Sequence, residues 1–139
     1  MTETKDKFQG LPLGARAVQI ADGNVNTYFL TTFGRATRET VCSCEVVTEP
    51  NLGQALHLLN GDTVNGKIRQ GNLVKRLLDE GKSEADIQEE LYIRCLARKP
   101  TDAEKEQVSK LLATGENKQT ALEDLFWALL NSKEFVFNL

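Results

Sequence analysis

Two cysteines one residue apart, Cys42-Ser43-Cys44, are the most specific chemical feature of this chain. With His57 and Cys95 they make a three-cysteine, one-histidine set, a composition that structural zinc sites use. The spacing argues against zinc, because a close ligand pair is ordinarily separated by about two to four residues. The other two members argue against it as well. Cys95 falls on an apolar stripe, where a thiol serves as a small hydrophobe. His57 lies between leucines, where a hydrogen-bonded packing histidine is the usual case. The expectation is therefore no bound metal and no cofactor. For Cys42 and Cys44, a mutual disulfide, pairing with cysteines outside this chain, and plain thiols all stay open.

The other chemistry-bearing strings are weaker. Asp22-Gly23-Asn24-Val25-Asn26 begins like a calcium loop with oxygen ligands at alternate positions. Such a loop then needs Gly where Thr27 stands and Glu where Phe33 stands, so a turn is the better reading. There is no G-x-S-x-G string, no glycine-rich phosphate loop, and a single histidine for any triad. Glu89-Glu90 and Glu123-Asp124 are adjacent carboxylates on helices, which suits a solvated surface better than a facing acid–base pair. Arg35 and Arg38 follow Gly34 in Phe33-Gly34-Arg35-Ala36-Thr37-Arg38-Glu39, and two arginines beside a glycine could grip a carboxylate or phosphate. They could equally pin the surrounding segment to carboxylates or helix C-termini. The candidate ligand or partner contacts are thus Arg35, Arg38, Cys42, Cys44 and His57, and no catalytic residue is assigned.

These residues must be positioned by two unlike stretches. Residues 1–10 read as a flexible lead-in. In residues 11–47, Ala17-Val18-Gln19-Ile20, Thr27-Tyr28-Phe29-Leu30 and Thr40-Val41 are short β-prone runs divided by turn formers, which predicts an extended segment with short strands. That segment has too little apolar content for a core of its own and is expected to pack on a helical body over residues 48–139. In the body, Leu52, Ala55, Leu56 and Leu59 share a helical face, and Asn60-Gly61 is a stop signal. Asn72 is placed to cap Leu73–Leu78. Ser83 with Asp86 opens a helix whose inner face holds Ile87, Leu91, Tyr92, Cys95 and Leu96, ending at Lys99-Pro100. Thr101 with Glu104 forms a capping box for the next, with Val108, Leu111 and Leu112 inward. Asn117 or Thr120 starts a last long helix in which Leu122, Leu125, Phe126, Leu129 and Leu130 follow helical spacing. Trp127 and Ala128 widen its apolar face, so this helix belongs at the centre. The fold class is mainly α: a compact bundle of about five helices with an irregular, partly β N-terminal segment, in a single domain spanning 11–139.

Composition sets the outer limits. With 139 residues, 40% hydrophobic and 27% charged, the chain is an ordinary globular domain. A formal net charge of −3 gives no electrostatic reason to expect nucleic acid as a partner. No apolar run approaches the roughly 20 residues that span a bilayer, so membrane insertion is not expected. The N-terminal residues lack the apolar core of a signal peptide, so the chain is either cytosolic or a piece of something longer.

Several strings together resemble a known family. They are Phe29-Leu30-Thr31-Thr32-Phe33-Gly34-Arg35, Cys42-Ser43-Cys44-Glu45, Gln54-Ala55-Leu56-His57-Leu58-Leu59-Asn60-Gly61, Glu90-Leu91-Tyr92-Ile93, and Trp127 through Phe135. In this order and spacing the chain is similar to the C-terminal part of a planctomycete domain of unknown function. That domain usually closes large exported proteins, which often carry a cytochrome-c-like domain. The resemblance implies an exported or periplasmic location and a protein partner, or the remainder of a larger polypeptide, as neighbour. Two positions depart from the family pattern: Val46 stands where Arg is usual, and a cysteine at position 95 is not. No Cys-x-x-Cys-His occurs, so this chain does not itself attach a c-type haem. The expected role is a non-catalytic accessory or interaction module. The rival is a fragment of an enzyme acting on polysaccharide or in electron transfer, with its catalytic groups elsewhere.

Overall fold

Helix boundaries follow the capping chemistry closely. The computed structural model describes residues 2–8, 10–20, 27–34, 51–60, 62–115 and 117–137. Among them run a 3-10 helix at Ala17–Gln19 and eight α-helices. These are α1 (Tyr28–Thr32), α2 (Leu52–Asn60), α3 (Asp62–Gly71), α4 (Leu73–Asp79), α5 (Glu84–Leu96), α6 (Asp102–Thr114), α7 (Lys118–Leu130) and α8 (Lys133–Phe137). The fold is mainly α-helical, with no strand among the described residues.

The chain divides into two units, residues 4–63 and residues 64–139 joined by residues 1–3. The second unit is a helical body built around α7, which packs against α4, α5, α6 and α8. Leu122 and Phe126 are fully buried, and Ala121, Leu125 and Leu129 nearly so. They meet Ile68, Leu73, Val74, Leu77, Ile87, Leu91, Tyr92, Cys95 and Val108 in one core. The central place expected for this helix is therefore observed, with a narrower buried face. Leu130 and Trp127 are half-buried and Ala128 is exposed. One flank of α7 stays open to water because neighbouring helices do not enclose its whole girth. On α6, Val108 is buried and Leu112 half-buried, but Leu111 is exposed rather than inward.

Each long helix begins on a side-chain cap that satisfies its otherwise free N–H groups. Ser83 Oγ accepts from the Asp86 amide at 3.2 Å. Thr101 and Glu104 form the full reciprocal box, the Thr101 amide donating to Glu104 Oε2 at 2.7 Å. Asn117 Oδ1 accepts from the Gln119 and Thr120 amides, which fixes the start of α7. Asn72 departs from expectation: its side chain makes no cap bond and its backbone is left-handed, with φ 48°. Helix α5 also stops at Leu96, before the Lys99-Pro100 pair, because Ala97 takes a left-handed φ of 54° and turns the chain away.

In the first unit, two β-prone runs are helical instead. Residues 17–19 form the 3-10 turn and residues 28–32 form α1. Local β propensity is a weak prior: Arg16 and Gln19 close the 3-10 turn through local bonds, while α1 gains partners from α2. The Phe29 and Phe33 rings stack one turn apart with centroids 4.6 Å apart. Gln54 Nε2, from α2, donates to the Thr32 carbonyl at 3.0 Å, occupying an end group of the short helix. The third run, Thr40-Val41, lies outside the described residues, as does the calcium-like string at 22–26.

Helix α2 carries an apolar face that is open to water. Leu52, Ala55 and Leu56 do share a face, but that face points outward: Leu52 is 74% and Leu56 48% exposed.

Candidate functional site

Of the five candidate contacts, His57 is the one among the described residues. Arg35, Arg38, Cys42 and Cys44 lie outside them. His57 sits on α2 with its ring against three aromatic residues of the α1 region. The centroid distances are 5.2 Å to Tyr28, 5.6 Å to Phe29 and 6.0 Å to Phe33. Its Nε2 lies 3.1 Å from Thr63 Oγ1, so the imidazole is hydrogen-bonded as well as packed. Edge-on aromatic pairs of this kind prefer such offset geometry. The ring thus ties α1 to α2 and holds Tyr28, itself largely exposed, against α2.

Cys95 is a core thiol on α5. Removal from water pushes its pKa up to about 11, which keeps it protonated and a poor metal ligand or nucleophile at neutral pH. No group of three or more metal-binding side chains gathers among the described residues.

The densest polar cluster was not foreseen from the sequence. Just beyond the end of α5, Arg98 grips two carboxylates at once. It donates from Nε and Nη2 to Glu134 at 2.7 and 2.8 Å, and from Nη1 and Nη2 to Glu104 at 2.9 and 2.9 Å. The guanidinium also lies over the Tyr92 ring, 5.5 Å from its centroid. Glu104 is at the same time the capping carboxylate of α6. One arginine therefore joins α5, the start of α6, and α8. Its hydrogen bonds hold Glu104 down to about 2 and Glu134 below its ordinary value. A working acid–base pair needs two groups whose proton affinities are driven apart around the operating pH. Here one cation drives both down, so the cluster is a clasp. Half of its signal was in the sequence, since the Thr101–Glu104 box placed Glu104. Glu134 is too far along the chain for any local pattern to have paired it with Arg98.

A second clasp uses Glu3. Its carboxylate bridges Arg76 and Arg94, with Oε1 accepting at 3.0 and 2.8 Å, and its pKa falls to about 2. Arg94 also donates to Glu90 at 2.7 Å. The peptide bearing Glu3 crosses so close to Gly71 that an added Cβ there would run into the Thr2 carbonyl oxygen. Gly71 is required by that close approach.

Gln88 is the remaining polar residue of note, buried to 4% exposure in the inner stripe of α5. Its spacing from Leu91, Tyr92 and Cys95 could have shown this.

No curated protein and no solved structure matches the chain. The model of the PSD1 family, described as a protein of unknown function (DUF1553), matches residues 4–112, and the chain belongs to that family.

Proposed function

We propose that the chain is a non-catalytic accessory or protein-interaction module of a larger exported assembly, of the planctomycete, cytochrome-c-associated kind that its sequence resembles. The observation that carries this reading is the outward apolar face of α2. A helix in a globular unit ordinarily turns such a stripe inward. Leu52, Ala55 and Leu56 instead present it to solvent, with the exposed Tyr28 ring held nearby by His57. In this reading the exposed apolar residues that share this helical face mark a contact site. Its occupant in this reading is another protein segment, either a partner or the rest of a larger polypeptide. Arg35, Arg38, Cys42 and Cys44 would extend the same recognition segment. The arginine-bound carboxylates of the helical body agree with a structural scaffold.

The test is a double substitution, Leu52→Glu with Leu56→Glu, made on a face where little stability is at stake. The expected result is an unchanged melting temperature together with loss of the partner that the unsubstituted chain retains in reciprocal co-purification from its natural source. A variant that keeps the same partner would remove α2 from the account. Turnover of a polysaccharide or a redox dye by the isolated chain would instead support the enzyme reading.

A further inference from the structure

The helical body already seats a short peptide, the chain's own residues 1–3. The seat is made by α3, α4 and α5 and not by α2, so its fate is independent of the reading above. Its first part is a receptor for a carboxylate. Arg76 and Arg94 each engage, through Nε, a glutamate one helical turn away. Arg76 Nε lies 3.4 Å from Glu80, and Arg94 Nε donates to Glu90 at 2.7 Å. Such local pairs form on a helix surface whatever lies above them. They leave the Nη edges of both guanidinium groups for a common partner, and Arg76 Nη1 and Nη2 and Arg94 Nη1 all donate to Glu3. The planar guanidinium fork suits a carboxylate.

The second part is a seat for main chain. Gly71 ends α3, and Asn72, with a left-handed φ of 48°, separates it from α4. The Thr2 carbonyl oxygen occupies the space that a Cβ on Gly71 would need. The site therefore engages a peptide carbonyl and, one residue later, a carboxylate side chain. Glu80 and Glu90 flank the fork, so a dianion such as phosphate meets more repulsion there than a single carboxylate does.

The present occupant is held against its own preferences. Glu3 has a left-handed φ of 61°, which is unfavourable for a residue with a Cβ. Its ion pairs with Arg76 and Arg94 stay partly open to water, where such pairs are individually weak. A segment of another chain offers the same carbonyl and carboxylate without the course that this chain must take from Glu3 into residues 4–63.

We infer that the seat formed by Gly71, Arg76 and Arg94 is a docking site for an acidic segment of another polypeptide, and that residues 1–3 are a displaceable plug covering it in the free chain.

The probe is the peptide Met-Thr-Glu-Thr-Lys-Asp, the sequence of residues 1–6, titrated into the isotope-labelled full chain. Binding is read by NMR from the Gly71 amide and the Nε resonances of Arg76 and Arg94. The proteins are the unsubstituted chain, Glu3→Ala, Glu3→Gln, and Glu3→Ala combined with Arg76→Met, with melting temperatures to identify any that fails to fold. The expected result is binding to Glu3→Ala and Glu3→Gln at least about tenfold tighter than to the unsubstituted chain, where the plug competes for the seat. The same peptide with Gln in place of its Glu should bind Glu3→Ala about tenfold more weakly, and so should the original peptide on the Arg76→Met background. The change within the peptide needs no further substitution in the protein, so it decides the carboxylate's part even if Arg76→Met fails to fold. Equal affinity for the unsubstituted and Glu3-substituted chains overturns the plug. Absence of binding to the folded Glu3 variants overturns the docking site, and so does indifference to the change from Glu to Gln. Propionate that moves the same resonances at the same concentration as the peptide would overturn the polypeptide assignment in favour of a small carboxylate.

Discussion

Arg98 is the residue on which the helical body's polar order turns. Each carboxylate it holds has a depressed proton affinity, so its stabilising effect is full above the ordinary carboxylate value of 4.5. For Glu104 the effect is lost as pH falls toward about 2. Urea midpoints followed from pH 6 downward should therefore drop across that window, and Arg98→Met should flatten the drop. A variant with an unaltered acid limb would show that the clasp contributes nothing. Because these groups are reached by solvent, added salt should shrink the difference. Ala97 offers a second check. Its left-handed backbone is unfavourable for a residue with a Cβ, so Ala97→Gly should raise stability by up to about 1 kcal/mol in a thermal melt. A decrease would mean that the turn after α5 is held differently. Gly71 behaves oppositely. Gly71→Ala should cost about 1–3 kcal/mol by forcing the Thr2 carbonyl aside, and deletion of residues 1–3 should erase that cost. Ala97 and Gly71 look unremarkable in the sequence, since the turn and the crossing chain that define them are tertiary facts.

Helix α7 is the element whose place is most secure. Leu129→Ala should lower stability by about 2–5 kcal/mol through lost transfer energy and the cavity left behind, while Leu130→Ala, only half-buried, should cost less. Trp127, the chain's single tryptophan, packs against the same core and reports the transition by fluorescence in urea. Equal and small effects at both leucines would put α7 at the surface. This helix was legible because five apolar residues repeat at helical spacing, and α5 and α6 because Ser83 and Thr101 announce their starts. Those signals are local. Helix α1 was read as strand because Thr27-Tyr28-Phe29-Leu30 has β-prone side chains, while its Phe33, Gln54 and His57 contacts come from farther along the chain. The face that Leu52, Ala55 and Leu56 share on α2 was legible but its exposure was not, since periodicity locates an apolar stripe without saying what covers it. The candidate site was least legible: of its members the structure describes His57, and the two arginine clasps arise from pairings across long sequence separations.

At the scale of the whole molecule, the account rests on a division of labour. The helical body supplies a core closed by α7 and locked by arginine-held carboxylates. The unit of residues 4–63 carries an apolar helical face that is open to water. If that face exists to meet another protein segment, it should be wet in the free chain and dry in the natural assembly. Hydroxyl-radical footprinting of the two states measures this directly, by the oxidation rates of individual side chains. The account predicts rapid modification of Leu52 and Leu56 in the free chain and a severalfold slowing on assembly, with Ile87 and Leu91 of the core slow in both. Unchanged rates at Leu52 and Leu56 in the assembled protein would contradict it.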